Sequence, residues 1–265
     1  MGKLVAFWSP YTGRSKVTAS LCAVAGAFGM WYPEITVAIS SVGAKNRDLE
    51  ECLDYRTTSK QDIYRNFGLM ALSLNYKQSI LTSEKIKHCA VPLQMNSLNL
   101  FPGEEKKSLE TEDVTYRMIT EYLAKEYTCV FLEVESGRGT TSDRFLQAAD
   151  YIVVVLPQSP HLWERFLSDE AEWLENRKYG ILLGGFFMES RFGLRYFKNQ
   201  KEEKIKGTLV GGIPMNVGFM DAMQEGKTLD FFLRNQLSRK NEEIYEFLVQ
   251  TKKTAKAIKD EIFLF

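Results

Sequence analysis

Residues 7–20, "FWSPYTGRSKVTAS", decide how the rest of the chain is read. Before them stands "KLVAFW" (3–8), an apolar run of strand length, and from residue 15 to 28 apolar and small residues recur at helical spacing. The polar stretch between carries Pro10 and Gly13, residues that turn a chain. A strand that passes through a polar loop into a helix opens a βαβ unit, and the sequence repeats the alternation. Further strands are read at "ITVAIS" (35–40), "LNLFPG" (98–103), "TCVFLEV" (128–134), "YIVVVLP" (151–157), "YGILLGGFF" (179–187) and "TLVGGIP" (208–214). Helical patterns cover 60–74, 113–125, 141–149, 162–176, 217–225 and the stretch from 238 onward. Several strand runs are apolar without alternation, as expected of strands covered on both faces. The predicted fold is α/β: a mostly parallel central sheet of about seven strands with helices on both faces, three layers, in one domain across 1–265. Ala19, Ala23, Ala25 and Gly26 predict a small-residue helix face lying close against the sheet.

Composition narrows the function classes. Lysine plus arginine number 34 and aspartate plus glutamate 34, so the chain has no net field to attract nucleic acid, which is not expected as a partner. Cys22, Cys52, Cys89 and Cys129 lack the paired spacing of a zinc or redox site and are read as reduced, buried thiols. No charged-then-apolar leader opens the chain and no apolar run is long enough to span a bilayer, which predicts a cytoplasmic protein. The charge-rich stretches "GEEKKSLETED" (103–113) and "KNQKEEKIKG" (198–207) read as solvated loops. His161, after "LPQSP", is expected to pack in its loop, and His88 beside Cys89 lacks the further ligands a metal needs.

The opening loop has the rhythm of G-x-x-x-x-G-K-[ST], in which backbone amides at a helix N-terminus cradle phosphate, a lysine reaches the terminal phosphates and a hydroxyl helps hold Mg²⁺. Here Trp8 takes the first glycine position, Gly13 the second, Arg14 the lysine and Ser15 the hydroxyl. Arginine is a planar fork rather than a compact ammonium, so binding survives the exchange better than catalysis does. The amides of Gly13, Arg14 and Ser15 are expected to receive an anion.

Three further stretches, in order, resemble the ParA/MinD family of deviant P-loop ATPases, which position plasmids, division proteins, pili and secretion machines. They are "CVFLEVESGRGTTSDRFLQAADYIVVVLPQS" (129–159), "LNLFPGE" (98–104) and "TLVGGIPMNVGFMDAMQEGKTLDFF" (208–232). The resemblance implies ATP or ADP with Mg²⁺ as cofactor. It places phosphate contacts on Thr12, Gly13, Arg14, Ser15 and Lys16, a γ-phosphate contact on the amide of Gly137, and the adenine near Pro214, Met215 and Asn216. The metal would lie on Ser15 and Glu133, the latter standing where the family has an aspartate.

Departures from the family pattern imply a weakened enzyme. Ser9 occupies the place of the lysine that reaches across the family's nucleotide-sandwich dimer, and Ser40 or Ser41 that of a catalytic aspartate. Asp48 and Glu135 are candidates to replace that carboxylate. Losing these groups should cost orders of magnitude in phosphoryl transfer. The chain is therefore read as a degenerate localisation or assembly scaffold, resembling the pilus-positioning TadZ/CpaE-type members. The alternative is an active ParA-type partitioning ATPase that binds DNA non-specifically as an ATP-dependent dimer. An iron-protein-like electron-transfer ATPase lacks its cysteines here, and a capsular tyrosine kinase its tyrosine tail.

Two expectations concern partners. Trp8, Pro10 and Tyr11 are read either as exposed groups of a homodimer interface or as groups packed within the chain. The tail "QTKKTAKAIKDEIFLF" (250–265) is read either as an element docking to a protein partner or the inner membrane face, or as a cap on the core.

Overall fold

The strand runs assemble into one eight-stranded sheet in the order β3-β4-β2-β5-β1-β6-β7-β8. The structure is a computed structural model, and it describes residues 1–43, 48–54, 67–103, 109–199, 208–240 and 242–263. The strands are β1 (Lys3–Trp8), β2 (Val37–Val42), β3 (Val91–Pro92), β4 (Leu98–Phe101), β5 (Cys129–Val134), β6 (Tyr151–Leu156), β7 (Tyr179–Phe186) and β8 (Thr208–Pro214). Every pairing is parallel except β3 with β4. The eighth strand is β3, a two-residue edge whose Pro92 limits further pairing, and so short a run carries no period by which to predict it.

Side chains along each central strand alternate between two cores. Val5, Phe7, Ile39, Phe131 and Val153 face one, while Leu4, Ala6, Trp8, Val130 and Ile152 face the other. The first core is closed by α1 (Val17–Trp31), α2 (Asp48–Leu53), α9 (Val217–Gln224), α10 (Thr228–Asn235) and α11 (Glu243–Phe263). The second is closed by α3 (Gly68–Lys77), α4 (Ser83–His88), α5 (Leu109–Arg117) with its π-helical continuation Met118–Leu123, α6 (Thr140–Ala148), α7 (Pro160–Asp169) and α8 (Leu194–Asn199). Because both faces are covered, the strands need no polar side, which is why their sequences run apolar.

Helix α1 is buried on nearly every side, and one of its small residues, Gly26, serves a neighbour other than the sheet. A Cβ on Gly26 would fall 2.4 Å from the ring of Phe232, so that glycine admits α10 rather than the sheet. The predicted helix 162–176 ends as α7 at Asp169, and 60–66 lie outside the described residues. The expected loop packing of His161 is not found: it is exposed in the first turn of α7. All four cysteines are buried and free.

Candidate functional site

Residues 9–16 leave β1 at the centre of the sheet and bend over its C-terminal edge. Two residues there adopt left-handed backbone, Gly13 at φ +70° and Lys16 at φ +53°. Helix α1 opens only at Val17, with Lys16 as its N-cap and no side-chain cap. The cation at the head of the helix is thus Lys16, and Arg14 stands two residues upstream, exposed. This shifts the predicted frame, because the left-handed Lys16 delays the helix by two residues. Among the described residues, the amides of Gly13, Ser15 and Lys16 donate to no protein acceptor, whereas that of Arg14 closes a long turn to the Tyr11 carbonyl at 3.4 Å. A fifteen-residue helix with undonated amides at its start is an anion cradle in the physical sense, since the dipole and the N–H groups point the same way.

Around the cradle, side chains are pinned. Ser9 Oγ donates to Ser15 Oγ at 2.6 Å, both buried, and accepts the Tyr11 N–H at 3.1 Å. Tyr11 is half-buried and turns away from the cradle, its hydroxyl donating to the Leu162 carbonyl at 2.7 Å; burial pushes its phenol up to about 12. Trp8 is fully buried, its Nε1 donating to the Gly137 carbonyl at 2.9 Å and its ring lying 6.3 Å from that of Trp173. The reading of Trp8 as an exposed interface group is therefore overturned: strand alternation turns it into the second core.

Gly137 lies beside the loop with φ +85°, where a Cβ would come 3.8 Å from Thr12 Oγ1. Its N–H is spent on the Ser9 carbonyl at 2.8 Å, so it is not offered to a phosphate as expected. The metal pair predicted at Ser15 and Glu133 is also divided. Glu133, at the end of β5, accepts from Thr18 Oγ1 at 2.5 Å, while Ser15 is held by Ser9. Burial raises the Glu133 carboxyl to about 7; the Thr18 hydrogen bond opposes this, and the charges of Glu50 and Asp48 add to it. A carboxylate with a neighbouring hydroxyl is a thin donor set, which suits Mg²⁺ only as one that keeps waters and takes phosphate oxygens.

Two buried carboxylates, Glu50 and Asp54, escaped the sequence reading. Glu50, on α2 and 1% exposed, accepts from Ser41 Oγ at 3.1 Å and from the Gly103 N–H at 2.9 Å, bringing an acid to the C-terminal end of β2. Ser40 Oγ donates to the Phe101 carbonyl at 2.7 Å. Glu50 lies between Leu49 and Cys52 on a face that packs inward, and an acid in "DLEECL" gives no sign of which way it points. Pro214 ends β8; Met215 donates its N–H to the Phe186 carbonyl at 2.7 Å; Asn216 caps α9, its Oδ1 accepting the Phe219 N–H at 2.9 Å. Lys16 reaches this side, for a Cβ on Gly185 would fall 2.7 Å from its Cδ and 3.5 Å from Met215 Sδ.

A cleft of about 290 Å³ opens between the loop (Pro10, Tyr11, Thr12, Arg14) and α7 (Leu162, Arg165, Asp169) with Glu170. It borders the cradle through Thr12 and Arg14, and its two carboxylates are paired, Asp169 with Arg165 at 3.2 Å and Glu170 with Arg138 at 3.5 Å.

No protein-family model matches the sequence, and no curated protein matches it. Solved structures do. A ParA family ATPase from Chlorobium tepidum TLS is similar at TM-score 0.68 and 15% identity, over 100% of this chain and 99% of that one. The septum site-determining protein MinD of Pyrococcus horikoshii OT3, complexed with Mg-ADP, is similar at TM-score 0.69 and 12% identity, over 100% and 98%. A chain of the MinC:MinD cell division protein complex from Aquifex aeolicus is similar at TM-score 0.64 and 15% identity, over 97% and 96%. At such identities what is shared is architecture, and the chain has, over its whole length, the P-loop α/β/α fold of the ParA and MinD ATPases.

Proposed function

We propose that this chain is a ParA/MinD-like localisation or assembly scaffold whose loop holds ATP or ADP with Mg²⁺ and hydrolyses it slowly or not at all. The observation that carries the reading is the set of undonated amides at Gly13, Ser15 and Lys16 at the head of a fifteen-residue helix. In this reading Thr12, Gly13, Ser15 and Lys16 bind the phosphates, Arg14 adds a second cation, and Thr18 with Glu133 holds the metal, which would draw charge from the phosphate oxygens. The base lies toward Pro214, Met215 and Asn216.

Slow turnover is supported by how the polar groups are already used. Ser9 offers no trans cation, Gly137 has spent its amide, and Glu50 is buried with its Oε1 accepting from Ser41 Oγ and the Gly103 N–H. A homodimer and a protein partner belong to the same reading, as a pilus-type or other positioning machine requires; the similar chain in the MinC:MinD complex is the precedent.

The test uses the full chain as purified. Retained nucleotide is sought by mass, ADP and ATP affinity is measured with Mg²⁺, and phosphate release is followed. Binding that falls at least tenfold in Lys16→Ala, with phosphate release near the buffer rate, is expected. Absence of any nucleotide or phosphate binding would reduce the loop to a plain βα turn. Brisk turnover abolished by Arg14→Ala would instead make this a working ATPase.

A further inference from the structure

The loop is held from behind, at the end of the sheet, by contacts that lie outside the cradle. Ser9 is the joint: its Oγ donates to Ser15 Oγ at 2.6 Å, and its carbonyl accepts the Gly137 N–H at 2.8 Å. The Gly137 carbonyl accepts the indole N–H of Trp8 at 2.9 Å. One turn of chain thus grips the last residue of β1 and the first of the loop. Whatever fixes that turn also fixes Ser15, a residue of the cradle.

Arg138, the next residue, anchors the turn. Its Nε donates to Asp143 Oδ1 at 2.6 Å and its Nη2 to Asp143 Oδ2 at 3.0 Å, a two-pronged pairing with α6. Its Nη1 lies 3.5 Å from Glu170 Oε2 at the end of α7, and its Cζ stands 3.7 Å from the centre of the Trp173 ring, which neighbours that of Trp8. A forked ion pair sets the direction of a guanidinium as well as its place, and a ring beneath it removes the remaining freedom. The side chain is 33% exposed, so any one of these contacts counts for little by itself. Together they define one orientation.

We propose that Arg138 is a positioning residue for the anion cradle, acting through Gly137 and Ser9 on Ser15 with no contact of its own to the bound phosphates. The inference rests on the loop being a nucleotide site. A loop already held in its bound shape loses less freedom when the ligand arrives, so it binds more tightly than the same loop released. Without the guanidinium, the turn keeps its partners Trp8 and Ser9 but has no fixed place from which to hold them. Arg144 supplies a matched comparison on the same helix α6. It pairs with Asp113 at 2.5 Å and lies 4.1 Å over the Tyr116 ring, and among its described contacts none reaches the loop.

The experiment titrates the full chain, with Mg²⁺, against ADP and inorganic tripolyphosphate in the wild type and in Arg138→Ala, Arg138→Lys and Arg144→Ala, at a temperature where circular dichroism shows every variant folded. Arg138→Ala is expected to weaken both ligands by the same factor, about tenfold, the lower scale for outer contacts that orient metal ligands. Arg138→Lys keeps the charge but not the planar fork, and should weaken them nearly as much. Arg144→Ala removes an equal charge and a similar stack, and should leave both affinities unchanged whatever it costs in melting temperature. Unchanged binding in Arg138→Ala would overturn the proposal. So would an equal loss in Arg144→Ala, which would mark a general effect of charge or stability, or full affinity in Arg138→Lys, which would mark charge alone; in each case the loop reading stands. If the wild type binds neither ligand, the loop reading falls and the positioning role with it.

Discussion

Glu133 sits where three strands and a helix leave it almost no water, with one described hydrogen bond, from Thr18, to hold its charge. Its carboxyl is raised to about 7 from an ordinary 4.5. Between those values the folded chain keeps a proton that the unfolded chain has lost, so stability falls as pH rises through that window and levels off above it. The full effect is roughly 3 kcal/mol, taking 1.36 kcal/mol per pH unit. Glu133→Gln keeps an acceptor for Thr18 and removes the ionisation. The variant is expected to match or trail the wild type in melting temperature at pH 5 and to exceed it at pH 8. Parallel pH profiles for the two proteins would show that the carboxyl is ionised throughout. Glu50 sits close enough to feel this charge, but its spacing from Glu133 in sequence could not have announced it.

At the scale of elements, two contacts set the loop and the sheet edge. Gly184 lets β7 pass under the loop: a Cβ there would lie 2.1 Å from the Ser15 carbonyl oxygen and 2.7 Å from Val155 Cγ1. Gly184→Ala must therefore move backbone, at a cost of about 1–3 kcal/mol for overpacking, and the displaced loop should bind ADP more weakly. A variant with unchanged melting temperature and affinity would show that the loop yields freely. On the other side, β8 is an edge strand, and α11 closes it with one hydroxyl. Thr254 Oγ1 accepts the Gly212 N–H at 3.1 Å and donates to the Gly212 carbonyl at 2.9 Å. An unpaired strand edge invites another chain to pair with it. Thr254→Val keeps the shape and orphans both groups, so a loss of about 1–3 kcal/mol is expected in urea unfolding, with aggregation at high concentration as the companion sign.

For the molecule as a whole, the described part of the C-terminal tail belongs to the core. Ile258 and Ile262 are buried, Phe263 packs against the same cluster, and Leu264 and Phe265 lie outside the described residues. Three lysines of the tail are engaged along the helix: Lys252 over the Trp31 ring at 5.1 Å, Lys259 over Tyr32 at 5.1 Å, and Lys256 paired with Asp260. Deleting residues 260–265 is thus expected to cost at least about 2 kcal/mol, the scale of losing a buried large side chain, and to lower the melting temperature by roughly 4–8 °C. An unchanged melting temperature, with loss of binding to anionic vesicles, would return the tail to a docking role. No helix among the described residues is long and apolar enough to cross a membrane.

The sequence by itself determined the layers. Unbroken apolar strands, helical periods between them and a polar turn after the first strand depend only on local spacing, so seven of the strands and the parallel sheet could be read in advance. It also located the loop and the residues around it. What tertiary structure decided was which polar group meets which. Trp8 turned inward, Glu50 came up against Ser41, Thr18 rather than Ser15 took Glu133, and the Gly137 amide went to Ser9. These outcomes depend on hydrogen bonds between residues as far apart as 129 positions, and on a left-handed Lys16 that moved the start of a helix. A local pattern carries no record of such distant pairings, because each is fixed by how the packed strands bring loop ends together.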